Sequence, residues 1–339
     1  MRRRTTYIAL AVFGAALIAA PMVARQPYYQ SVLVFIGINA LAATGLNLLM
    51  GYAGQVSLGH AAFLGIGGYA SAVLTVNHGV DPWLAMVAGV AVTCIIAWII
   101  GKPTLRLHGH YLAIATLGFG MIVNIVFIEW RGLTGGQSGI PGVPPLAIGR
   151  FALDTHARLY YLVWGMVYLA TLASANLLHS RSGRALRAIS SSELAAETAG
   201  INAGRYKLQV FVLSAALASL AGSLFVHNLS FANPEPFDFA YSIELVVMAV
   251  LGGLGNIWGP VVGAATITVL GEALPPLGNL LNQWINPTAS GMPLELDVPA
   301  FGLILVLALI FLPRGVTTSL SALFQRRRPR ISEASQGAA

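Results

Sequence analysis

The stretch NLLMGYAGQVSLGHAAFLGIGGYASAVL, residues 47–74, is apolar enough for a bilayer yet dense in glycine and small polar residues. Ala61 and Gly65, Gly67 and Ser71, and Gly68 and Ala72 are small residues four apart. That spacing puts the two members of each pair on the same side of a helix and lets helix backbones approach closely. Ahead of them stand Gln55, Ser57 and His60, among Gly51, Gly54 and Gly59. The polar group reads in one of two ways. It is an irregular or broken helix, which survives at membrane depth only when buried in protein or lining a water-filled cavity. Or it is a plain turn at the inner surface, with tight helix packing beyond it.

Composition places the chain in a membrane. Of 339 residues, 56% are hydrophobic and 9% charged, with a mean hydropathy of +0.74. A soluble domain carries about 25% charged residues. The net charge of +7 rests on few groups, with no basic cluster interleaved with aromatics. It reads as basic cytoplasmic loops rather than a nucleic-acid surface. The single cysteine, Cys94, permits no internal disulfide and no cysteine metal cluster.

A spanning helix needs about 20 mostly apolar residues. Such runs fall near 7–24, 31–50, 58–77, 82–101, 111–129, 159–179, 208–227, 242–257, 259–275 and 298–313, which predicts an all-α polytopic protein of about ten helices. With the N-terminus inside, the inside segments hold Arg2, Arg3, Arg4, Lys102, Arg106, Arg181, Arg184, Arg187, Arg205, Lys207, Arg314, Arg326, Arg327, Arg328 and Arg330. The outside segments hold Arg25, Arg131, Arg150 and Arg158, so the bias sets both termini in the cytoplasm. MRRR with the following apolar run also resembles a secretory signal, but the next span follows almost at once and favours a retained first helix. Residues 1–315 read as one transmembrane domain with an inside loop at 180–207, and 316–339 as a polar tail expected to be disordered. The outside loops at 130–158 and 275–297 are rich in glycine and proline and predict turns.

The inside loop contains AISSSELAAETAGI, residues 188–201, a polar island in an apolar chain. Ser190 and Glu193 have the spacing of a capping box, and Gly200 sits where a left-handed residue ends a helix. The expected helix, about nine residues over 191–199, is too short to stand alone in water, so it rests on something. Glu193 and Glu197 share one face. Either the loop's arginines neutralise them, or they belong to a ridge that fits a groove in a cytoplasmic partner.

Residues 185–225, ALRAISSSELAAETAGINAGRYKLQVFVLSAALASLAGSLF, resemble the coupling loop of ABC importer permeases of the branched-chain amino acid type. The generic pattern is Glu-Ala-Ala, three residues, then Gly. Here Gly200 keeps its place with Ala195 and Ala196, but Leu194 fills the glutamate slot and Glu193 stands one residue earlier. Residues 47–74 resemble the signature of the LivM-type permease, and LTGGQSGIPGVP (133–144) and VMAVLGGLGNIWGPVVGA (247–264) resemble further blocks of that family, in order. The resemblance implies the family's permease fold, with Ser190, Glu193, Leu194, Ala195, Ala196, Glu197 and Gly200 as the coupling element. It implies cytoplasmic ATPase subunits that bind ATP and Mg, a second related permease as heterodimer partner, and a periplasmic or extracellular solute-binding protein. It also implies a place in the bacterial inner membrane and apolar amino acids as solutes.

The remaining residues narrow the chemistry. Gln55, Ser57 and His60, with Asn39, Asn47 and Asn124, are candidates to line a translocation path; for Asn39 and Asn124, interhelical hydrogen bonding is the plainer reading. LGGLGNIWGP (251–260) is a possible second break. His108 and His110 bring no further ligands, so no metal is assigned. Glu129, Glu244 and Glu272 are expected at outer helix ends and Glu235 and Asp238 in outside loops, with no carboxylate at mid-membrane. That argues against an ion-coupled secondary carrier, the main alternative. Neither Lys102 nor Lys207 sits in a phosphate-binding loop, so the chain is not itself an ATPase. Gly136-Gln137-Ser138-Gly139 matches the G-x-S-G of intramembrane serine proteases, with His227 as the candidate base. Since Ser138 falls in an outside loop, Ser138→Ala is expected to leave function intact; loss of function with the fold kept would revive the protease reading.

Overall fold

The computed structural model describes residues 3–23, 26–107, 109–148, 151–152, 155–285, 302, 306 and 315–317. The apolar runs become helices: α1 (Arg3–Val23), α2 (Pro27–Asn47), α3 (His60–His78), α4 (Pro82–Thr104), α5 (His110–Glu129) and the short α6 (Arg131–Thr134). Three two-residue strands follow: β1 (Ile140–Pro141), β2 (Ala147–Ile148) and β3 (Phe151–Ala152). Then come α7 (His156–His179), α8 (Arg181–Ser191), α9 (Glu193–Thr198), α10 (Ala203–Leu229), β4 (Phe231–Ala232), α11 (Phe239–Gly252) and α12 (Gly259–Ile285). Proline opens α2 and α4, where its missing amide costs nothing, and the Asp81 carboxylate accepts the Trp83 and Leu84 amides of α4. Among the described residues, Pro27–Tyr52, Pro82–Thr104, His110–Glu129, His156–His179 and Ala203–Leu229 are long and apolar enough to cross a bilayer. The expected span at 298–313 and the tail fall outside the described residues, except for Gly302, Val306 and residues 315–317.

The core is built on α3 against α10, with α2 and α4 flanking. Of the small residues read from the sequence, Gly67, Gly68 and Ser71 face this contact. A Cβ on Gly67 would run into the Ser219 backbone, and one on Gly222 into the Leu64 carbonyl. Ser223 Oγ donates to the Gly67 carbonyl at 3.1 Å, and Thr93 Oγ1 of α4 to Ser219 Oγ at 3.0 Å. Gly68 lies against the Gly222 carbonyl and Val226, and Gly65 leaves room for the Phe127 ring and the Phe237 Cβ. Ala61 and Ala72 are buried, and Ser71 Oγ lies 2.8 Å from His227 Nε2.

These contacts fix levels along the bundle. α3 and α10 run parallel, with His60 level with Ser214, Gly67 with Ser219 and Ser71 with His227. Ser214 lies about 16 Å into α10, a 27-residue helix about 40 Å long. So α3 begins near mid-depth. The chain reaches that level by a non-helical climb over 54–59. It starts with Gly54 against Ser190 of α8 and ends with Gly59 packed on Thr116 of α5.

A second such segment enters from the opposite end. After α10 the chain pairs β4 with β1, then runs inward so that Phe237 is buried against Tyr69, Phe127 and Phe225. α11 starts beside α3, where Ser242 Oγ accepts the Ala61 amide at 3.1 Å. With 14 residues, about 21 Å, it runs only from mid-depth to the α9 end. The run at 242–257 is therefore a half-span, which corrects the sequence expectation of a full one. Two carboxylates expected at the outer surface move with it: Asp238 caps α11, accepting the Tyr241 amide at 3.0 Å, and Glu244 lies in the same helix near mid-depth.

Of the two loops expected to be turns, 275–285 instead continues α12, with 286–297 outside the described residues, and 130–158 packs. Val143 and Leu146 are buried, Val143 N donates to the Ser230 carbonyl, and Trp83 Nε1 donates to the Ala147 carbonyl at 2.6 Å. Its order comes from the pairing of Ile140 with Ala232, a partner too far along the chain for local patterns to reveal.

Gly222→Ala is expected to destabilise the protein by about 1–3 kcal/mol through overpacking on the Leu64 backbone. Gly165→Ala, whose Cβ meets open space, is expected to be neutral. Unfolding midpoints of the two variants in one detergent compare them directly.

Candidate functional site

Two regions hold the polar groups singled out in the sequence. The first is the α8–α9 hairpin. The expected capping box is not formed: Ser190 lies within α8, and Ser192 caps α9, its Oγ accepting the Ala195 amide at 3.3 Å. The short helix is Glu193–Thr198 rather than 191–199, because α8 takes up the serines before it. At its end the Gly200 amide reaches the Glu197 carbonyl and the Ile201 amide the Ala196 carbonyl, with Gly200 at φ +81°. This double closure needs a left-handed residue, and glycine takes that conformation without Cβ strain.

The helix rests on α10 by two devices. Ala196 and Ile201 pack with Ile189 and Ala203 in a small apolar cluster. Lys207, 1% exposed, donates to both Glu193 oxygens at 2.6 and 2.5 Å. A buried ammonium needs such a partner, so Glu193 latches α9 onto α10. Glu193 is thus not part of a free ridge. What remains outward is Leu194, 75% exposed, with Ala195 and Glu197. The Lys207 latch was missed in the sequence; a lone lysine at the entrance of a long apolar run was its signal.

The α8–α9 unit also touches the first break. A Cβ on Gly54 would lie 3.3 Å from Ser190 Oγ. Beyond Asn47, α2 widens into a π-helical turn, Leu48–Tyr52. Asn47 spans from there to the loop between α11 and α12: its Nδ2 donates to the Asn256 carbonyl at 2.9 Å and its Oδ1 accepts the Gly255 amide at 3.0 Å. Gly51 abuts Gly255, and Thr317 Oγ1 donates to the Gly252 carbonyl at 2.5 Å. The break at 251–260 is therefore real, but it lies at the α9 end. The segment that matches 54–59 in depth is 230–238.

The second region is the mid-depth meeting of α3 and α11. His60 Nε2 lies 3.2 Å from Ser214 Oγ, and the Leu58 amide donates to Thr116 Oγ1 at 3.0 Å. Ser57 Oγ and His60 Nδ1 are buried with no hydrogen-bond partner, on side chains 1% and 0% exposed. Asn39 joins three helices: Tyr241 OH donates to its Oδ1 at 2.5 Å, and its Nδ2 donates to Thr268 Oγ1 at 3.0 Å. Asn124 Nδ2 donates to the Pro234 carbonyl at 3.2 Å, and Gln55 to the Ala53 carbonyl at 3.1 Å. Asn39 and Asn124 thus serve interhelical and loop bonding. Asp238 and Glu244 at this depth remove the argument that the chain has no carboxylate at mid-membrane.

The protease geometry does not form. Ser138 is exposed in the loop, while both ring nitrogens of His227 are engaged, by Ser71 and by the Pro144 carbonyl at 2.6 Å. Of the histidine pair, His110 is exposed at the start of α5 and His108 falls outside the described residues.

Comparison with known proteins bears on what this arrangement serves. Residues 28–312 match the family described as branched-chain amino acid transport system, permease component. The chain is 33% identical over 260 residues to the high-affinity branched-chain amino acid transport system permease protein LivM of Salmonella typhimurium, covering 70% of this chain and 61% of that one. It thus spans about three-fifths of that relative's length. It is 28% identical over 293 residues to the permease protein LivH of the same organism, covering 82% and 90%. The ribose import permease protein RbsC of Escherichia coli is 29% identical over 252 residues, covering 71% and 75%.

Glu193→Gln leaves the buried Lys207 charge unbalanced. About 1–3 kcal/mol of local stability is expected to be lost, discounted from a fully buried pair because the Glu193 side chain is 30% exposed. Faster proteolytic cutting across 192–201, with the helical core intact, is the readout.

Proposed function

Because the chain belongs to the family of branched-chain amino acid transport permease components, we propose that it is the membrane subunit of an ATP-driven importer of branched-chain or other apolar amino acids. The chain itself is a multi-pass transport component and not an enzyme. On this reading ATP and Mg are bound by two cytoplasmic ATPase chains, a related permease completes the pathway, and a soluble binding protein delivers solute from outside. The membrane is then the bacterial inner membrane, with the α9 end in the cytoplasm, in keeping with the excess of arginine there.

The observation that carries the reading is α9: a six-residue helix, capped at both ends and latched to α10, that holds a largely exposed leucine outward. Such a short helix is not stable alone, and its contacts with α10 hold its inner face while the Leu194 face stays outward. It is built to be pushed. Docked in a groove of an ATPase, Leu194 supplies the buried contact and Glu197 the orienting charge, while the Lys207–Glu193 pair passes displacement to α10. The opening and closing of the ATPase pair then rocks the permease between two states. The ribose permease among the relatives fits a scaffold that leaves solute choice largely to the binding protein.

Copurification from the native host in mild detergent is expected to bring an ATPase with a phosphate-binding loop and a second permease; a chain that purifies alone favours the secondary carrier. Leu194→Asp with Glu197→Lys is expected to cut uptake more than tenfold and to release the ATPase, with unfolding unchanged. Undiminished uptake would sink the role given to α9.

A further inference from the structure

We infer that the N-terminus of α3, brought to mid-depth against the start of α11, forms a binding site for the carboxylate of the transported solute, with Ser57 and His60 as its side-chain ligands. The inference rests on the permease reading and deepens it.

The first support is the backbone. Two segments that interrupt the α-helices enter from opposite ends, the non-helical 54–59 and 230–238 with its single 3-10 turn at Glu235–Phe237, and each delivers a helix N-terminus to the same level. There the Ala61 amide meets Ser242 Oγ at 3.1 Å. α3 is a 19-residue helix whose start carries no side-chain cap: Gly59 occupies the cap position. Its first turn therefore presents partial positive charge to the protein interior, where low dielectric strengthens any anion contact. Opposed half-helices of this kind are a known way to hold an anionic group at the bilayer midplane.

The second support is independent of the helix end. Ser57 Oγ and His60 Nδ1 are buried and lack a partner. Buried polar atoms in native proteins are almost always satisfied, so a neighbouring pair without partners marks a site completed in another state. The residues bonded around them, Thr116, Ser214 and Ser242, are neutral hydroxyls. A hydroxyl and an imidazole N–H can both donate to a carboxylate, and no charged side chain is among these partners. Across the junction the charge reverses: the Asp238 carboxylate caps α11. An amino acid set with its carboxylate on α3 and its ammonium toward α11 meets complementary charge at both ends. In the present conformation the α3 side is closed, with Ser57 and His60 fully buried. Access requires the two re-entrant segments to part, and 54–59 is the one in contact with α8.

The test uses the purified importer complex in proteoliposomes, with L-leucine as the probe. Ser57→Ala is expected to reduce ATP-driven uptake at least tenfold while basal ATP hydrolysis persists and the unfolding midpoint of the complex does not fall. Ser57→Thr, which restores a hydroxyl, is expected to recover most of the uptake. Unchanged uptake in Ser57→Ala would overturn the inference, since removing a hydroxyl with no partner should then only stabilise the protein. A lowered midpoint would overturn it equally, by giving the hydroxyl a partner within the chain. Wild-type uptake of leucinamide at the rate of leucine would refute the carboxylate assignment. A wild-type complex that takes up no leucine on ATP fails the functional reading itself, a result distinct from each of these.

Discussion

Backbone amides at membrane depth must be hydrogen-bonded within the protein, because lipid offers them nothing. This protein breaks its helices twice within that depth, at 54–59 and at 230–238, and the rest of the bundle is arranged to make the breaks tolerable. The Leu58 amide goes to Thr116, the Ala61 amide to Ser242, and the Pro234 carbonyl to Asn124. The glycines and serines of α3 and α10 serve the same end: by letting these helices nearly touch, they seal the level where regular structure stops. A bundle spaced by larger side chains would leave that level open.

A contiguous set of contacts runs from the surface of α9 to these breaks. Lys207 joins α9 to α10, Ser190 of α8 lies against Gly54, and the π-helical turn passes to Asn47, which grips the α11–α12 loop through Gly255 and Asn256. Most of these links are backbone against backbone or a doubly bonded side chain, so they transmit displacement with little slack. The wider turn at Leu48–Tyr52 is the exception, and a π-turn within an α-helix is a frequent mark of a functional position. The α9 end is thus stiffly connected and the mid-depth junction comparatively under-bonded. That suits a subunit moved from outside itself.

Local patterns made much of this legible. Small residues four apart identified the packing face of α3, apolar runs located the long helices, and Gly200 marked the end of α9. Where the reading failed, the missing partner was distant in sequence. Ser190 has the capping-box spacing to Glu193, but Ser192 takes the cap because α8 continues through Ser191. Glu193 is held by Lys207 across a turn that no periodicity predicts. Glu244 looked like a helix-end carboxylate because the apolar run around it was long enough to pass for a span.

The sequence by itself determined the class: a glycine-rich, apolar chain with long hydrophobic runs and arginine gathered in a few loops is a polytopic membrane protein. Hydropathy, small-residue spacing and charge bias are properties of single segments, and single segments carry them openly. Only the tertiary structure decided depth. Whether 54–59 is a surface turn or a break within the membrane depends on where α10 lies beside it, and whether 239–252 is a whole span or half of one depends on its meeting with Ala61. Depth is a relation between elements, fixed by how closely Gly67 and Gly222 let two helices approach, and no segment alone contains it.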